Sequence, residues 1–443
     1  MNKKQHKMRE MKDSGISWVG EIPKEWNKRP IRSIIKSRVG GVWGDDINDD
    51  IQGVVCIRIA DFDFSKRKIK DVSSDLLTYR LYNSIQIQKY SLQKNDILIE
   101  KSGGGEKTPV GRAVLFDKNY KALFANFMDR IRIDDSIVLP VFAEYWLWNL
   151  YSCRVTPYYI NQTIGIQNID LTVMLAKEKI CFPSLDEQQR IAEFLDRECG
   201  KIDGLKEDIQ AQIDTLEQYK RSVITEVVTH GLNPFAPMKD SGIPWVGQFP
   251  THWTKKKGKY ILRYMSKPVK QDDGVITCFR DGEVTLRSNR REDGFTMADK
   301  EIGYQGVDVG DLVVHGMDGF AGAIGISDSR GKASPVLNVL NTKQNKKYIM
   351  YYLRSMAYGE VFTALSTGIR VRSCDLRWNK LAELLYPLPP IDEQNNIVSY
   401  IDNQIARTNE IIADKKSQIE TLDGYKKSLI YEYVTGKKEV YYV

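Results

Sequence analysis

The 443 residues, 42% hydrophobic and 28% charged, exclude collagen-like, mucin-like and wholly disordered chains; at roughly 150 residues per domain they predict about three domains. Lys and Arg outnumber Asp and Glu by 65 to 58, and the net charge of +7 only mildly favours a polyanionic partner. The longest apolar stretch, 138–151, is broken by Pro140 and Glu144 and falls short of the roughly 20 residues that cross a bilayer. The basic start, residues 1–9, has no apolar segment behind it, so no membrane partner and a cytoplasmic location are expected.

The chain opens on the block 11–26, Met-Lys-Asp-Ser-Gly-Ile-Ser-Trp-Val-Gly-Glu-Ile-Pro-Lys-Glu-Trp. Behind it, 54–59, 96–99 and 110–116 are short apolar or alternating stretches bounded by Gly, Asp and Asn, the pattern of strands joined by turns. The loop 101–108, Lys-Ser-Gly-Gly-Gly-Glu-Lys-Thr, superficially resembles a phosphate-binding loop. A Walker loop needs Gly-Lys-Ser/Thr and then a helix, whereas Glu106 precedes Lys107 and Pro109 and a strand follow, so no nucleotide site is predicted. Two readings stay open: a loop that carries Lys101 and Lys107 to a DNA groove, or an ordinary hairpin. A helix is predicted over 141–152, followed by 159–168, where the amides of Asn161, Gln162 and Gln167 can read adenine edges.

Pro183-Ser-Leu-Asp-Glu-Gln188 then begins a long helix, with Ser184 and Glu187 placed as a capping box. Leu195, Ile202, Ile209, Leu216 and Val223 recur every seventh residue and predict a helix over 187–228, whose 42 residues would span about 63 Å. It should end at His230-Gly231, and Gly200 and Gly204 should soften it.

After a linker turn at Asn233-Pro-Phe235, the opening block returns at 238–253, identical at 11 of 16 positions and displaced by 227 residues. Strands are predicted at 275–279, 311–314 and 321–326. The Gly-rich 315–322 stands where 101–108 stands in the first copy, and its Asp318 can accept from a cytosine amino group. A helix over 346–362 precedes 365–372, where Arg370 and Arg372 can pair with guanine or grip phosphate. Pro389-Pro-Ile-Asp-Glu-Gln394 opens a second long helix, displaced by 206 residues from the first. Ile401, Leu422 and Leu429 form one of its rows, Ile405, Ile412 and Ile419 the row beside it, and it ends at Thr435-Gly436 with Gly424 inside.

The segments between the shared blocks, 156 residues at 27–182 and 135 at 254–388, show no comparable resemblance. The chain is a tandem duplication with common ends and divergent middles. Common parts would do one mechanical job twice; divergent parts can recognise two different things. The fold class expected is mixed α/β, with two globular recognition domains alternating with two long helices that pair as an antiparallel coiled coil. The boundaries expected are 1–182 for the first domain and 183–231 for the first helix. A linker and the second domain should fill 232–388, and the second helix and a short tail 389–443. The alternative is that each helix lies flat on its own module. Lys206, Lys415 and Lys426 on the seam suit a short or imperfect coil, and paired rods would hold the two modules at a fixed separation.

Between 186 and 230 the first helix carries 11 acidic and 6 basic residues, and between 391 and 436 the second carries 8 and 5, so the basic surplus lies outside them. It includes Lys66, Arg67 and Lys68 with Lys70; Lys255 and Lys256 with Lys257 and Lys259; and Arg287, Arg290 and Arg291. That split suits modules that contact phosphates and rods that face protein. For each residue singled out, base contact, phosphate contact and a purely structural place stay open.

Catalytic patterns are missing. Cys56, Cys153, Cys181, Cys199, Cys278 and Cys374 form no Cys-x-x-Cys pair, and of His6, His230, His252 and His315 no two stand three or four residues apart, so no metal site is predicted. Asn233-Pro-Phe235 is one proline short of an adenine-methylating loop, and Glu100-Lys101 are adjacent where a nuclease needs Glu-x-Lys on one face of a strand.

Ser14 to Gly20 with Pro23 and Trp26, their return at 241–253, and the blocks 183–188 and 388–394, each ahead of a long helix, form a duplicated set. In this set the chain resembles, over nearly its full length, the DNA-specificity subunit of Type I restriction–modification complexes. The resemblance implies that each module is a target recognition domain reading half of a split, asymmetric site in double-stranded DNA. It implies that the helices space the modules and dock two methylation subunits, which two restriction subunits then join. S-adenosylmethionine, ATP and Mg2+ would belong to those subunits, leaving this chain non-catalytic and without a cofactor. It carries over no base-reading residues, because the modules diverge with target. The alternatives are a recognition subunit of another multisubunit restriction system and a scaffold that never reads DNA.

Overall fold

The structure, a computed structural model, describes residues 9–47, 53–163, 165–290, 301–365 and 376–440. It divides into two compact units, one drawn from 1–209 and 417–443, the other from 210–416.

In the second unit chain order is uninterrupted. It runs from the end of the first long helix (Leu185–His230) through the repeated block and the module to the start of the second long helix (Ile391–Val434). The first unit has the same parts cut at a different place: its block, module and helix start come from the front of the chain, and its closing helix segment from the back.

The repeated block is a small hairpin in both units, Met11–Asp13 against Glu21–Pro23 and Met238–Asp240 against Gln248–Pro250. Its turn is held alike twice: the Asp13 and Asp240 carboxylates accept from Gly15 and Gly242 N–H, both at 2.8 Å, and buried Ser14 and Ser241 accept from Ile16 and Ile243 N–H. Each hairpin delivers a buried tryptophan, Trp26 or Trp253, to the end of a long helix. The helices stop there on glycines with positive φ. A Cβ on Gly436 would come within 2.4 Å of Pro23, and one on Gly231 within 3.2 Å of Trp253. Conformation thus favours glycine at both helix ends, and at Gly436 the lack of space requires it as well.

The divergent middles share a frame that their sequences hide. In the first unit Ile35–Gly40, Met128–Ile133, Ile97–Glu100 and Ala113–Leu115 lie side by side as four antiparallel strands of a six-stranded sheet; in the second, Leu262–Tyr264, Leu337–Thr342, Leu312–His315 and Ile324–Ile326 take the same order. Side chains alternate between two cores, as the period-two geometry of a strand demands. Ile97 and Ile99 face the core shared with the helices while Leu98 faces the outer one, and Leu312 and Val314 oppose Val313 in the same way. The Gly-rich stretches 101–108 and 315–322 both link the third strand of this order to the fourth.

A helix then covers each sheet, Pro140–Ser152 and Lys346–Tyr358. The second is shorter than the 346–362 expected. Gly359 ends it, Glu360 turns left-handed at φ 56°, and a separate turn of helix spans Val361–Ala364. Large side chains from this layer, Trp146 in one unit and Tyr348 and Tyr352 in the other, are fully buried in cores that also hold residues of the long helices, each contributing roughly 1.5–3 kcal/mol.

The first long helix runs unbroken through Gly200 and Gly204, and the second through Gly424, so these glycines do not interrupt the rods. Within the first unit Phe194 meets Tyr433 with ring centroids 4.4 Å apart, Asp203 pairs with Lys426 at 2.6 Å and Lys206 with Asp423 at 2.5 Å. Within the second, Gln212 meets Lys415 and Lys220 meets Asn409, at 2.5 and 2.8 Å. Each step forward on one helix is a step backward on the other, which is antiparallel pairing in both units. All eleven seam positions, Leu195, Ile202, Ile209, Leu216, Val223, Ile401, Ile405, Ile412, Ile419, Leu422 and Leu429, are buried or half-buried.

Seam lysines do not mark an imperfect coil: Lys206, Lys415 and Lys426 each bond a polar side chain of the opposite helix. Ser184 accepts from Glu187 N–H only at 3.4 Å, and the Glu187 carboxylate turns instead to Arg9 at 2.8 and 2.9 Å, so the expected capping box is not closed.

Buried glutamines explain why the block before each helix is repeated. Gln188 Nε2 donates to Pro183 and Ile137 carbonyls while its Oε1 accepts from Leu139 N–H at 2.7 Å; Gln394 Nε2 donates to the Pro389 carbonyl while its Oε1 accepts from Asn345 N–H at 3.0 Å. Leu139 and Asn345 immediately precede the module helices, so one amide joins the first turn of each rod to its own module. Replacing Gln188 or Gln394 by Leu strands buried backbone groups and should cost roughly 1–3 kcal/mol each. Denaturant unfolding of the full chain measures it, and unchanged midpoints would refute the role given to these amides.

Candidate nucleic-acid interface

The cationic residues singled out by sequence fall into three kinds of place. Lys68, Lys107 and Lys256 are exposed and make no ion pair with another described residue. Lys66 is exposed but lies 2.7 Å from Glu207 of the first long helix. Lys101 reaches Asp129 at 3.0 Å beside the sheet, and Lys255 donates to the Ser241 carbonyl inside the repeated block. Lys257 and Lys259 share Glu383.

Arg67 corrects the expectation of a phosphate-binding cluster at 66–68. It sits at φ 57° in a tight turn opened by Asp63, whose carboxylate accepts from Lys66 N–H. That backbone turns the guanidinium inward while its neighbours face water. Its side chain is 5% exposed, lies 4.0 Å over the Tyr145 ring, and reaches Glu144 at 3.1 Å and Asp196 at 3.4 Å. Burial pushes the Glu144 carboxyl up to about 7, against the opposing pull of Arg67. Lys426 completes this cluster with Asp203 and the Ser65 carbonyl, its pKa lowered by burial. Arg67 thus holds the first module to the helices of its own unit and is closed off from DNA.

The amide candidates divide similarly. Asn161 is exposed on a hairpin whose strands are Ile160–Thr163 and Ile166–Ile169, whereas Gln167 is buried and accepts from Val110 N–H at 3.3 Å, which fixes the end of the Gly-rich loop. Gln162 pairs through its backbone with Gln167, and its side chain lies outside the description. Arg291, Arg370 and Arg372 also lie outside the described residues.

In the second module Arg280, Arg287, Arg290, His315 and Asp318 line one cleft of about 660 Å³. Asp318 accepts from Arg280 at 2.9 Å, and Arg290 stacks on Phe279 while pairing with Asp281 and Glu283. Arg287 Nε approaches Thr277 Oγ1 at 3.4 Å. Exposed pairs of this kind are worth about 1 kcal/mol or less, so the arginines can exchange a carboxylate for a phosphate at small cost.

Cys56, Cys181, Cys199 and Cys278 are buried, Cys153 is half-buried and all five are free thiols, while Cys374 lies outside the described residues. Among the described residues no cluster of His, Cys, Asp and Glu is arranged to hold a metal, and no helix is long and apolar enough to cross a membrane.

Sequence reasoning missed the partners that make this frame. Asp203 and Asn409 are separated by the same 206 residues as Lys220 and Lys426, so the pins Lys426–Asp203 and Lys220–Asn409 are one contact made twice. The signal was present in the repeat, but an acidic residue on a rod reads as solvated surface until its partner is known.

Residues 23–215 match the sequence model of the Type I restriction modification DNA specificity domain. Among curated proteins, the chain is 23% identical over 445 residues to a putative type I restriction enzyme MjaX specificity subunit of Methanocaldococcus jannaschii, covering 95% of this chain and 96% of that one. It is 20% identical over 217 residues to the EcoBI specificity subunit of Escherichia coli, covering 46% of this chain and 41% of the other. Among solved structures, a chain from work on complex assembly and conformational transition of the type I R-M system shares its fold. The TM-score is 0.63 at 13% identity, over 94% of this chain and 99% of that one.

Arg67→Met should therefore act on stability, costing about 3–5 kcal/mol by leaving buried Glu144 unpaired, with the salt dependence of duplex binding unchanged. Lys107→Ala should do the reverse, leaving stability within about 0.5 kcal/mol and lowering the salt slope by about one. Unfolding curves and binding titrations at several salt concentrations check both. An Arg67→Met chain that binds DNA less well at unchanged stability would overturn the assignment.

Proposed function

We propose that this chain, a member of the family of Type I restriction–modification DNA-specificity subunits, is the sequence-reading and non-catalytic part of its complex, each module reading one half of a bipartite, asymmetric target. The observation that carries this reading is the shared four-strand order with unlike loops between its third and fourth strands. One frame presents Lys101 and Lys107, the other His315 and Asp318. Readers of two different sequences need just that combination of a fixed frame and variable contacts.

Docking of two copies of one partner is supported by a surface that also occurs twice. Leu205 and Ile411 are 52% and 46% exposed, Tyr219 and Tyr425 are 47% and 57% exposed, and each pair is separated by the repeat distance of 206 residues. Antiparallel pairing puts Leu205, next in sequence to Lys206, and Tyr425, two residues after Asp423, at similar levels of the rods; in the other unit Tyr219 and Ile411 stand in the same way to Lys220 and Asn409. Each unit thus offers one aliphatic and one tyrosine side chain on an acidic rod, a surface fit for a methylation subunit with apolar and basic contacts. In this reading S-adenosylmethionine sits in the two methylation subunits, and ATP and Mg2+ in two restriction subunits. Exposed lysines bind phosphates, the loops enter the grooves, and the docked partners take adenines out of the duplex.

Methylation mapping of DNA from cells that express the complete complex tests this, with a second complex in which residues 27–182 are replaced by the corresponding module of a relative. One half of the methylated sequence should change and the other half stay. A change in both halves, or no methylation that depends on this chain, would contradict the reading.

A further inference from the structure

His315 closes the strand Leu312–His315 and opens the Gly-rich loop of the second module. Its ring is fixed from one side: Nδ1 accepts from Met317 N–H at 3.2 Å and from Asp318 N–H at 2.9 Å. A nitrogen that accepts two backbone donors carries no proton, so the single ring proton of the neutral imidazole is on Nε2. The neutral form is favoured because burial lowers the pKa; of the facing charges, Asp318 opposes this and Arg280 adds to it. The ring lines the cleft of about 660 Å³ that also holds Arg280, Arg287 and Arg290. The result is one N–H donor of fixed tautomer, held by backbone, in a cleft with cationic side chains.

In the first module the same strand end is Glu100, which faces Arg112 at 2.9 Å and is 1% exposed. Equivalent positions thus differ in kind: one is spent on an internal ion pair, while the Nε2–H of the other bonds no described residue at the edge of a cleft. The frame keeps the position while the chemistry changes, as expected of a contact that chooses a base.

We propose that His315 is a specificity-determining residue, whose Nε2–H donates to an acceptor on the major-groove edge of one base in the half-site read by the second module. A purine N7, a guanine O6 or a thymine O4 satisfies such a donor; the amino groups of adenine and cytosine do not. Arg287 and Arg290 on the same cleft serve the phosphates that bring the base edge into reach. This inference rests on the reading of the second module as a DNA reader.

The test selects duplexes from a library randomised in both half-sites, using the complete complex with the native chain, with His315→Asn and with His315→Ala. An asparagine Oδ1 can take over the two backbone N–H groups as an Asx turn but cannot extend a donor to the place of Nε2. His315→Asn should keep the melting temperature of the complex and the sequence of the other half-site, and lose roughly tenfold preference at a single base pair, as expected for one hydrogen bond. His315→Ala should lose preference at the same base pair. An unchanged consensus with His315→Asn overturns the proposal. So does a loss spread over the whole half-site, or a fall in melting temperature, since either assigns the ring to holding the loop. If the native complex selects no sequence, the DNA-reading function itself fails, and the two failures are told apart by that control.

Discussion

A helix of 46 residues with an apolar stripe cannot stand alone in water, and the stripe has to be covered by something of matching length. Here the cover is a second helix of 44 residues from the same chain, running the opposite way. Antiparallel pairing of two copies of one sequence places equivalent residues at equivalent levels, once in each unit. The contact between Lys426 and Asp203 is matched by that between Lys220 and Asn409, and the exposed tyrosines and aliphatics recur likewise. Duplication plus reversal is enough to produce two like surfaces from a single chain.

The duplicated ends also decide how a variable module can be tolerated. The contacts that recur in both units are few, a buried tryptophan at a helix end, a glutamine amide at a helix start and a serine-centred turn, and each unit adds contacts of its own such as Arg67 with Asp196. Between them the chain is free to change, provided the four-strand order and its alternating faces survive. The loop 315–322 combines both demands: Phe320 packs on the core that holds Ile224 and Ile401 of the long helices, while His315 and Asp318 line the cleft.

Much of this was legible in the residues. Heptad rows from Leu195 and Ile401 gave the long helices and their seam, and the repeat gave the shared ends. The four-strand order common to both modules could not be read, because a strand of three or four residues is specified by alternation between two cores and many apolar sequences satisfy that alternation. Arg67 read as surface because its neighbours Lys66 and Lys68 are surface; only its left-handed backbone turns it inward. Gln167 misled for a related reason, since an amide suited to an adenine edge is equally suited to a backbone N–H. The seam lysines read as flaws because a heptad pattern scores apolarity and is blind to the acid or amide on the opposite helix.

The ruler idea, that helix length sets the gap between the two sequences read, meets its most direct measurement in an extended chain. Seven residues added to each long helix at paired levels keep the seam in phase and lengthen the pair by about 10 Å, or about three base pairs of duplex. Methylation mapping of the complex built on that chain should return the same two half-sequences with the gap wider by about three base pairs. The original gap, at full methylation, would contradict it.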